Sequence, residues 1–257
     1  MRHLHPIVAA MLVGGLACAA GPPVGTQAND VRVLSSNGVK AVLEAVLPDM
    51  EDAVGRPLSI EFSTAASLKD RIAGGEAFDV AILTPALVDE LVAQQRISSD
   101  SRLTFARSGV GVGARAGAPE ADVSSTDTLK TTLLAARSVA MTADGQSRRA
   151  SERAFEQLGI ADVVQSTILF LGPGEGPRAV AAGEAELVLT LVSEIVSVPG
   201  LQLLGPFPDE VQSYVSFTAG ASSGTGDPAA AGALLRFLQS PAVSAAARAN
   251  GMEIVHP

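Results

Sequence analysis

The sequence predicts an α/β fold built from mainly parallel sheets flanked by helices, and three observations predict it. Short β-like runs alternate with stretches of helical periodicity along nearly the whole chain. Residues 78–83 form a near-continuous apolar run, as a strand buried on both faces requires. The 257 residues are 47% hydrophobic, enough for one large domain or two modest ones to bury a core without disulfides or metal.

Residues 31–34 read as a first short strand. Ser35, Ser36 and Asn37 then supply N-cap chemistry for a helix over residues 38–54, where Val39, Val42, Leu43, Val46, Leu47 and Met50 recur at helical spacing. Residues 58–62 alternate as a strand, and Ser67 is placed to cap a helix that carries Leu68, Arg71 and Ile72. The strand at 78–83 completes strand, helix, strand, helix, strand. Helices at 85–94, 128–136, 147–158 and 175–182 then alternate with strands at 109–115, 138–141, 167–171 and 185–191, a pattern that implies right-handed crossovers between parallel strands. The end of the chain departs from it, with a strand at 214–221, a helix at 228–239 and a last helix that starts at Pro241 and stops at Gly251. There is no internal repeat and no low-complexity stretch.

Charge and composition exclude several classes of function. With 18 Lys+Arg against 27 Asp+Glu the formal net charge is −9, and the basic residues do not cluster, so nucleic acid and anionic membrane surfaces are not expected partners. Aromatic residues make up 4% of the chain, with no Trp and Tyr214 as the one Tyr, too few for base- or sugar-stacking platforms. The N-terminus reads as a secretory leader: Met1, Arg2 and His3 give a short basic start, and residues 7–20 are an apolar run shorter than the ~20 residues of a membrane span. Small residues suit cleavage at Ala17-Cys18-Ala19 and at Thr26-Gln27-Ala28, and the later site makes residues 1–28 the signal peptide of an exported protein. A lipid anchor on Cys18 is the alternative. Cys18 is the single cysteine, so the exported domain has no disulfide even though its compartment permits them.

Open parallel sheets bind ligands at the carboxyl ends of their strands, where loops lead into helix N-termini. Here those loops are residues 35–38, 63–67, 142–147 and 172–176, rich in hydroxyls, glycines and amides and poor in Lys and Arg. Such a set suits a small polar or anionic group held by backbone N–H groups and hydroxyls. Taken singly, each residue is also an ordinary capping or turn residue, and only convergence makes a site. The candidates are Ser35, Ser36, Asn37, Gly38, Ser63, Thr64, Ala65, Thr142 and Ser147. Arg148 stands beside the third loop, either to meet a ligand anion or to pair with Glu152 along the helix.

Catalytic and metal motifs give less. The segment 220–224 matches the nucleophile-elbow pattern around Ser222, but a serine hydrolase needs a histidine base. Of the three histidines, His3 and His5 leave with the leader and His256 is the next-to-last residue, which leaves Ser222 in a Gly/Ser-rich turn. Gly172, Gly174 and Pro177 fail the dinucleotide fingerprint, and there is no P-loop. Zinc lacks ligands, and Asp49, Glu51 and Asp52 read as a solvated helix face. No cofactor, metal or catalytic residue is expected.

Residues 31–43, residues 62–82 with their Gly75-Glu76-Ala77-Phe78-Asp79-Val80 segment, residues 183–187 and the closing 240–253 resemble the type II periplasmic solute-binding proteins, most closely the molybdate-binding branch. The resemblance covers essentially the whole chain after the leader. It implies a two-lobe periplasmic-binding-protein fold, each lobe a mainly parallel sheet flanked by helices, which closes on a ligand and delivers it to an inner-membrane ABC permease. By that likeness residues 29–108 begin lobe 1, residues 109–212 form lobe 2, and residues 213–257 return to lobe 1. The crossings fall near 106–109 and 211–216. It also implies a monomer that binds and does not catalyse.

Molybdate binders of this kind use one serine at the start of the first helix and one in the second loop, and the matching positions here are Gly38 and Ala65. Their second-lobe tyrosine has no counterpart in residues 189–193, where Thr190 is the candidate. Ser36, Asn37, Ser63 and Thr64 lie one or two residues from the missing hydroxyls. Three functions from different classes follow: a binding protein for uptake of a molybdate-like oxyanion, an exported sensor or interaction protein of the same fold for another small polar or organic acid, and a hydrolase using Ser222.

Overall fold

The computed structural model describes residues 30–255, so the leader expected over residues 1–28, Cys18 and His256 lie outside the described residues. Strand β1 (Val31–Ser36) passes through a 3-10 turn (Asn37–Val39) into helices α1 (Lys40–Ala45) and α2 (Leu47–Val54). β2 (Leu58–Ser63), α3 (Ala65–Ala73), β3 (Val80–Leu83) and α4 (Pro85–Ala93) follow. β1 lies between β2 and β3 and is parallel to both, with Val33 opposite Ile60 and Val80. The long β4 (Leu103–Arg115) then leads to α5 (Thr126–Ala135), β5 (Val139–Thr142), α6 (Gln146–Leu158), α7 (Ala161–Val164), β6 (Ile168–Leu171), α8 (Glu175–Ala182), β7 (Leu187–Leu191), α9 (Val192–Val196) and β8 (Leu201–Pro206). β5 is parallel to β6 and β7, so a second parallel triplet repeats the first. The chain closes with β9 (Tyr214–Ala221), α10 (Pro228–Phe237), α11 (Pro241–Ala249) and β10 (Glu253–Ile254).

The two triplets are joined by antiparallel strands. β9 pairs with β3 on one side and with Leu103–Gly109 of β4 on the other. Past that point β4 changes partners, and its residues Val110–Ala114 pair with β7. At the change of partner the Gln212 side chain stands in for a peptide: its Oε1 accepts from the Val110 amide at 2.9 Å and its Nε2 donates to the Val110 carbonyl at 3.0 Å. Such pairing gives the Val110 amide and carbonyl partners where the sheet turns. Among the described residues no helix is long and apolar enough to cross a membrane.

The period of two along the strands sets the layers. Val80 and Ile82 of β3 face the main core with α1, α2, α10 and α11, while Ala81 and Leu83 face a second cluster with Leu68 and Ile72 of α3 and Val88 and Leu91 of α4. In the second triplet Val139 and Met141 face the main core with Leu129 and Leu133 of α5 and Phe155 of α6, and Ala140 meets Val180 of α8 and Ile195 of α9. Asp79 ties the first layer to the returning chain, its carboxylate accepting from the Arg32 amide at 2.8 Å and the Thr225 hydroxyl at 2.6 Å.

The structure corrects several sequence expectations. The single helix over 38–54 is two helices, because Pro48 lacks the N–H that would bridge them, and Val46 at φ −112° separates them. Thr64, not Ser67, caps α3: the Thr64 hydroxyl accepts from the Ser67 amide at 3.3 Å. The strand expected at 109–115 begins six residues earlier, at Leu103. α7, α9, β8 and β10 are additions, all short, and short apolar pieces carry too few turns of either period to be recognised.

The two halves touch at Gly38. A β-carbon there would run into the Phe217 ring and come within 2.7 Å of Leu191 Cδ1. The Gly38 carbonyl accepts from the buried Ser193 hydroxyl at 2.7 Å, and the Ser193 amide donates to Ser108 Oγ at 3.3 Å. Gly38→Ser is expected to destabilise the fold by about 1–3 kcal/mol through overpacking against Phe217 and Leu191; a urea midpoint equal to wild type would show that the neighbours give way without cost.

Candidate functional site

Strand ends of both triplets meet in one place. β1 brings Ser36, Asn37 and Gly38, β2 brings Ser63 and Thr64 with Ala65 opening α3, and β3 brings Thr84. From the other triplet, β5 brings Thr142 and the turn through Gly145 to Gln146 and Ser147, and β7 brings Leu191, with Glu194 following in α9. With Val215 of β9 these residues wall a cavity of about 40 Å³, room for about three waters at ~10–15 Å³ each. Parallel strands explain the meeting, since each crossover helix starts at the same edge of its sheet.

The wall is made of neutral donors and helix starts. α3, α4 and α6, of 9, 9 and 13 residues, all begin at the cavity. Gly145 and Thr84 give no side-chain cap to α6 and α4, so the first-turn amides of both helices have no side-chain acceptor. Thr64 caps α3 and also donates its hydroxyl hydrogen to Asp144 Oδ2 at 2.9 Å, a side-chain bond from one triplet to the other. Neither Lys nor Arg lines this cavity.

Glu194 is the ionisable side chain in the wall. Burial pushes its pKa above the usual range near 4.5, opposed by the Thr190 hydroxyl, which donates to its Oε2, and by the Leu191 amide. The carboxyl therefore keeps its proton to a higher pH than a solvated glutamate. Asn37 and Glu194 also line a second, larger cleft of about 560 Å³, shared with Lys40, Pro173, Gly174 and Arg178.

Of the residues the sequence singles out, Ser36, Asn37, Gly38, Ser63, Thr64, Ala65, Thr142 and Ser147 share the cavity wall. Ser35 is buried within β1, its hydroxyl on the Ser36 carbonyl at 3.3 Å. Thr190 is buried behind Glu194. Arg148 turns outward: its Nε donates to Glu152 Oε1 at 2.7 Å, and its guanidinium lies 4.2 Å from the Phe170 ring centroid. Ser222 sits in a turn, accepting from the Gly224 amide at 3.2 Å. Among the described residues no group of His, Cys, Asp and Glu is placed to hold a metal ion. The sequence reading missed Thr84, Leu191, Glu194 and Val215. Thr84 carried a signal, since it stands between an apolar strand and Pro85 as Thr64 stands before its helix. Glu194 carried none, because nothing local says that α9 turns its charged residue inward.

The family model of the bacterial extracellular solute-binding proteins matches residues 31–253. An aconitate isomerase from a Pseudomonas species is 29% identical over 258 residues, which cover 98% of each chain. The periplasmic molybdate-binding protein of Azotobacter vinelandii superposes with a TM-score of 0.73 at 17% identity, over 89% of this chain and 100% of its own. The sulfate-binding protein SubI of Mycobacterium tuberculosis gives a TM-score of 0.70 at 14% identity, over 89% and 88%. At these identities the two solved structures establish a shared fold.

The Glu194 shift has a sign that can be measured. A carboxyl whose folded pKa is raised binds more protons folded than unfolded, so its contribution to stability is greatest at low pH and declines as pH rises from about 4.5 towards the raised value. Glu194→Gln removes that decline. Urea titrations from pH 4.5 to 8 should show the variant gaining on wild type as pH rises; parallel curves would place the carboxyl in solvent.

Proposed function

The chain belongs to the bacterial extracellular solute-binding protein family, and from this we propose that it captures a small anionic solute between two lobes and presents it to an ABC permease of the inner membrane. The lobes of this reading are residues 29–108 with 213–257, and residues 109–212. Residues 1–28 act as the export leader of a periplasmic monomer. The observation that carries the reading is the cavity itself: hydroxyls and helix starts from both triplets point into one small space. An anion there meets partial positive charge at three helix N-termini without competing for a counterion.

A carboxylate fits better than a molybdate-like oxyanion. Gly38 and Ala65 offer no hydroxyl, and Phe217 and Leu191 leave no room for one at position 38. Two missing hydrogen bonds to a charged group forfeit roughly 3–6 kcal/mol, or two to four decades of affinity. Thermal unfolding against molybdate, sulfate, phosphate, acetate, succinate and aconitate tests this. A ligand at 100 times its Kd adds about 2.7 kcal/mol, and for a chain of this size the midpoint rises by roughly 5–10 °C. A rise with carboxylates is the expected result; a rise with molybdate alone would overturn the preference.

Glu194 and the 29% identity to an aconitate isomerase favour a second reading, in which the same site isomerises an unsaturated carboxylic acid. Shifting a double bond in such an acid requires a proton to leave one carbon and return to another: Glu194 in its ionised form takes the proton from the first carbon, and the carboxyl so formed returns it to the second, a raised pKa making the carboxylate the stronger base. Proton NMR of cis- or trans-aconitate incubated with the protein should then show conversion that Glu194→Gln abolishes while binding persists. Unchanged substrate after prolonged incubation returns the site to binding alone.

A further inference from the structure

We propose that the ligand carries at least two carboxylates, one in the small cavity and another in the adjoining cleft, where Arg178 and Lys40 receive it. This rests on the anion-binding reading of the cavity and names the class of solute. The cavity of about 40 Å³ has room for one carboxylate in place of its waters, and longer molecules have to leave it. Asn37 and Glu194 belong to the walls of both spaces, which makes them the threshold between the cavity and the cleft of about 560 Å³.

The cations are divided across that threshold, and Glu44 lines the cleft beside Lys40. The cavity has no cation in its wall, while the cleft has two, Arg178 on α8 and Lys40 on α1. Arg178 is exposed and makes no hydrogen bond or ion pair with the described residues, so its guanidinium is free for a ligand carboxylate. Lys40 is held loosely, with Nζ 3.7 Å from Glu44 Oε1 and 5.5 Å from the Phe62 ring centroid, contacts that a stronger anion displaces. The two cations come from opposite sides: Gly174, which starts α8 in a left-handed conformation at φ 72°, stands 3.8 Å from Asn37 Nδ2 if given a β-carbon. A molecule that reaches both spaces therefore touches both halves of the protein. A tetrahedral inorganic anion fills the cavity and leaves the cleft cations unused.

Calorimetric titration of the full exported chain with sulfate, acetate, succinate, citrate and aconitate tests the proposal. The expected result is that di- and tricarboxylates bind at least tenfold tighter than acetate, and that Arg178→Gln lowers their affinity on the order of tenfold while leaving acetate unchanged. Lys40→Gln should act in the same sense and more weakly. Both residues are surface-exposed or nearly so, so the variants should fold, which their unfolding midpoints verify. Equal affinity for acetate and citrate, with no effect of Arg178→Gln, would overturn the proposal and leave the anion-binding cavity standing. An equal loss for every ligand would reduce Arg178 to general attraction and also overturn it. Silence of the folded wild type towards the whole panel would overturn both.

Discussion

The peptide at Gly38 is the contact on which the rest depends. It packs against Phe217 from the returning strand β9 and Leu191 from the end of β7, and its carbonyl is bonded by Ser193. Any side chain at this position would separate the strand ends that form the cavity. The same demand for close approach recurs along β4, where β-carbons on Gly111 and Gly113 would come within 3.0 Å of Val192 and 2.9 Å of Ile195. These glycines let α9 lie flat on β4, and α9 in turn holds Ser193 on Gly38 and Glu194 in the cavity wall. Backbone proximity bought with missing β-carbons thus fixes the position of the one carboxyl in the site.

The electrostatics of the site run against the charge of the molecule. A chain with a formal net charge of −9 would repel anions at long range, yet the cavity offers amide N–H groups, hydroxyls and the starts of three helices. Those groups act within a turn of the helix end, inside the distance at which salt screens the outer charges. Glu194 fits this arrangement because its raised pKa lowers the cost of a carboxyl beside an anion, and a protonated carboxyl is itself a donor. Across the cavity the two halves are linked by the Thr64 to Asp144 bond at 2.9 Å. A single hydrogen bond to a charged group contributes about 1.5–3 kcal/mol, small enough to be exchanged for bonds to a solute.

Much of the architecture was legible. The near-continuous apolar run at residues 78–83, the Glu175–Ala182 helix and the Tyr214–Ala221 strand follow from local patterning and the turn residues around them. Proline read locally was less well served, since Pro48 divides a helix whose apolar spacing runs straight through it. The candidate site was legible where strand, polar turn and helix follow one another, as at Ser36, Ser63, Thr64, Thr142 and Ser147. It was illegible at Arg148, whose choice between Glu152 and the cavity is made by the Phe170 ring beneath it.

By itself, then, the sequence determined the alternation of the longer strands and helices and the polar character of the turns, because each of these is set by interactions between residues close along the chain. Only the tertiary structure decided that turns 80 and more residues apart face one another, as Thr64 and Asp144 do, that Gly38 has no room for a hydroxyl, and that Glu194 points inward. The physical reason is that these depend on how two sheets meet through β4 and β9, and the distance between packed surfaces leaves no periodic trace in either sequence segment.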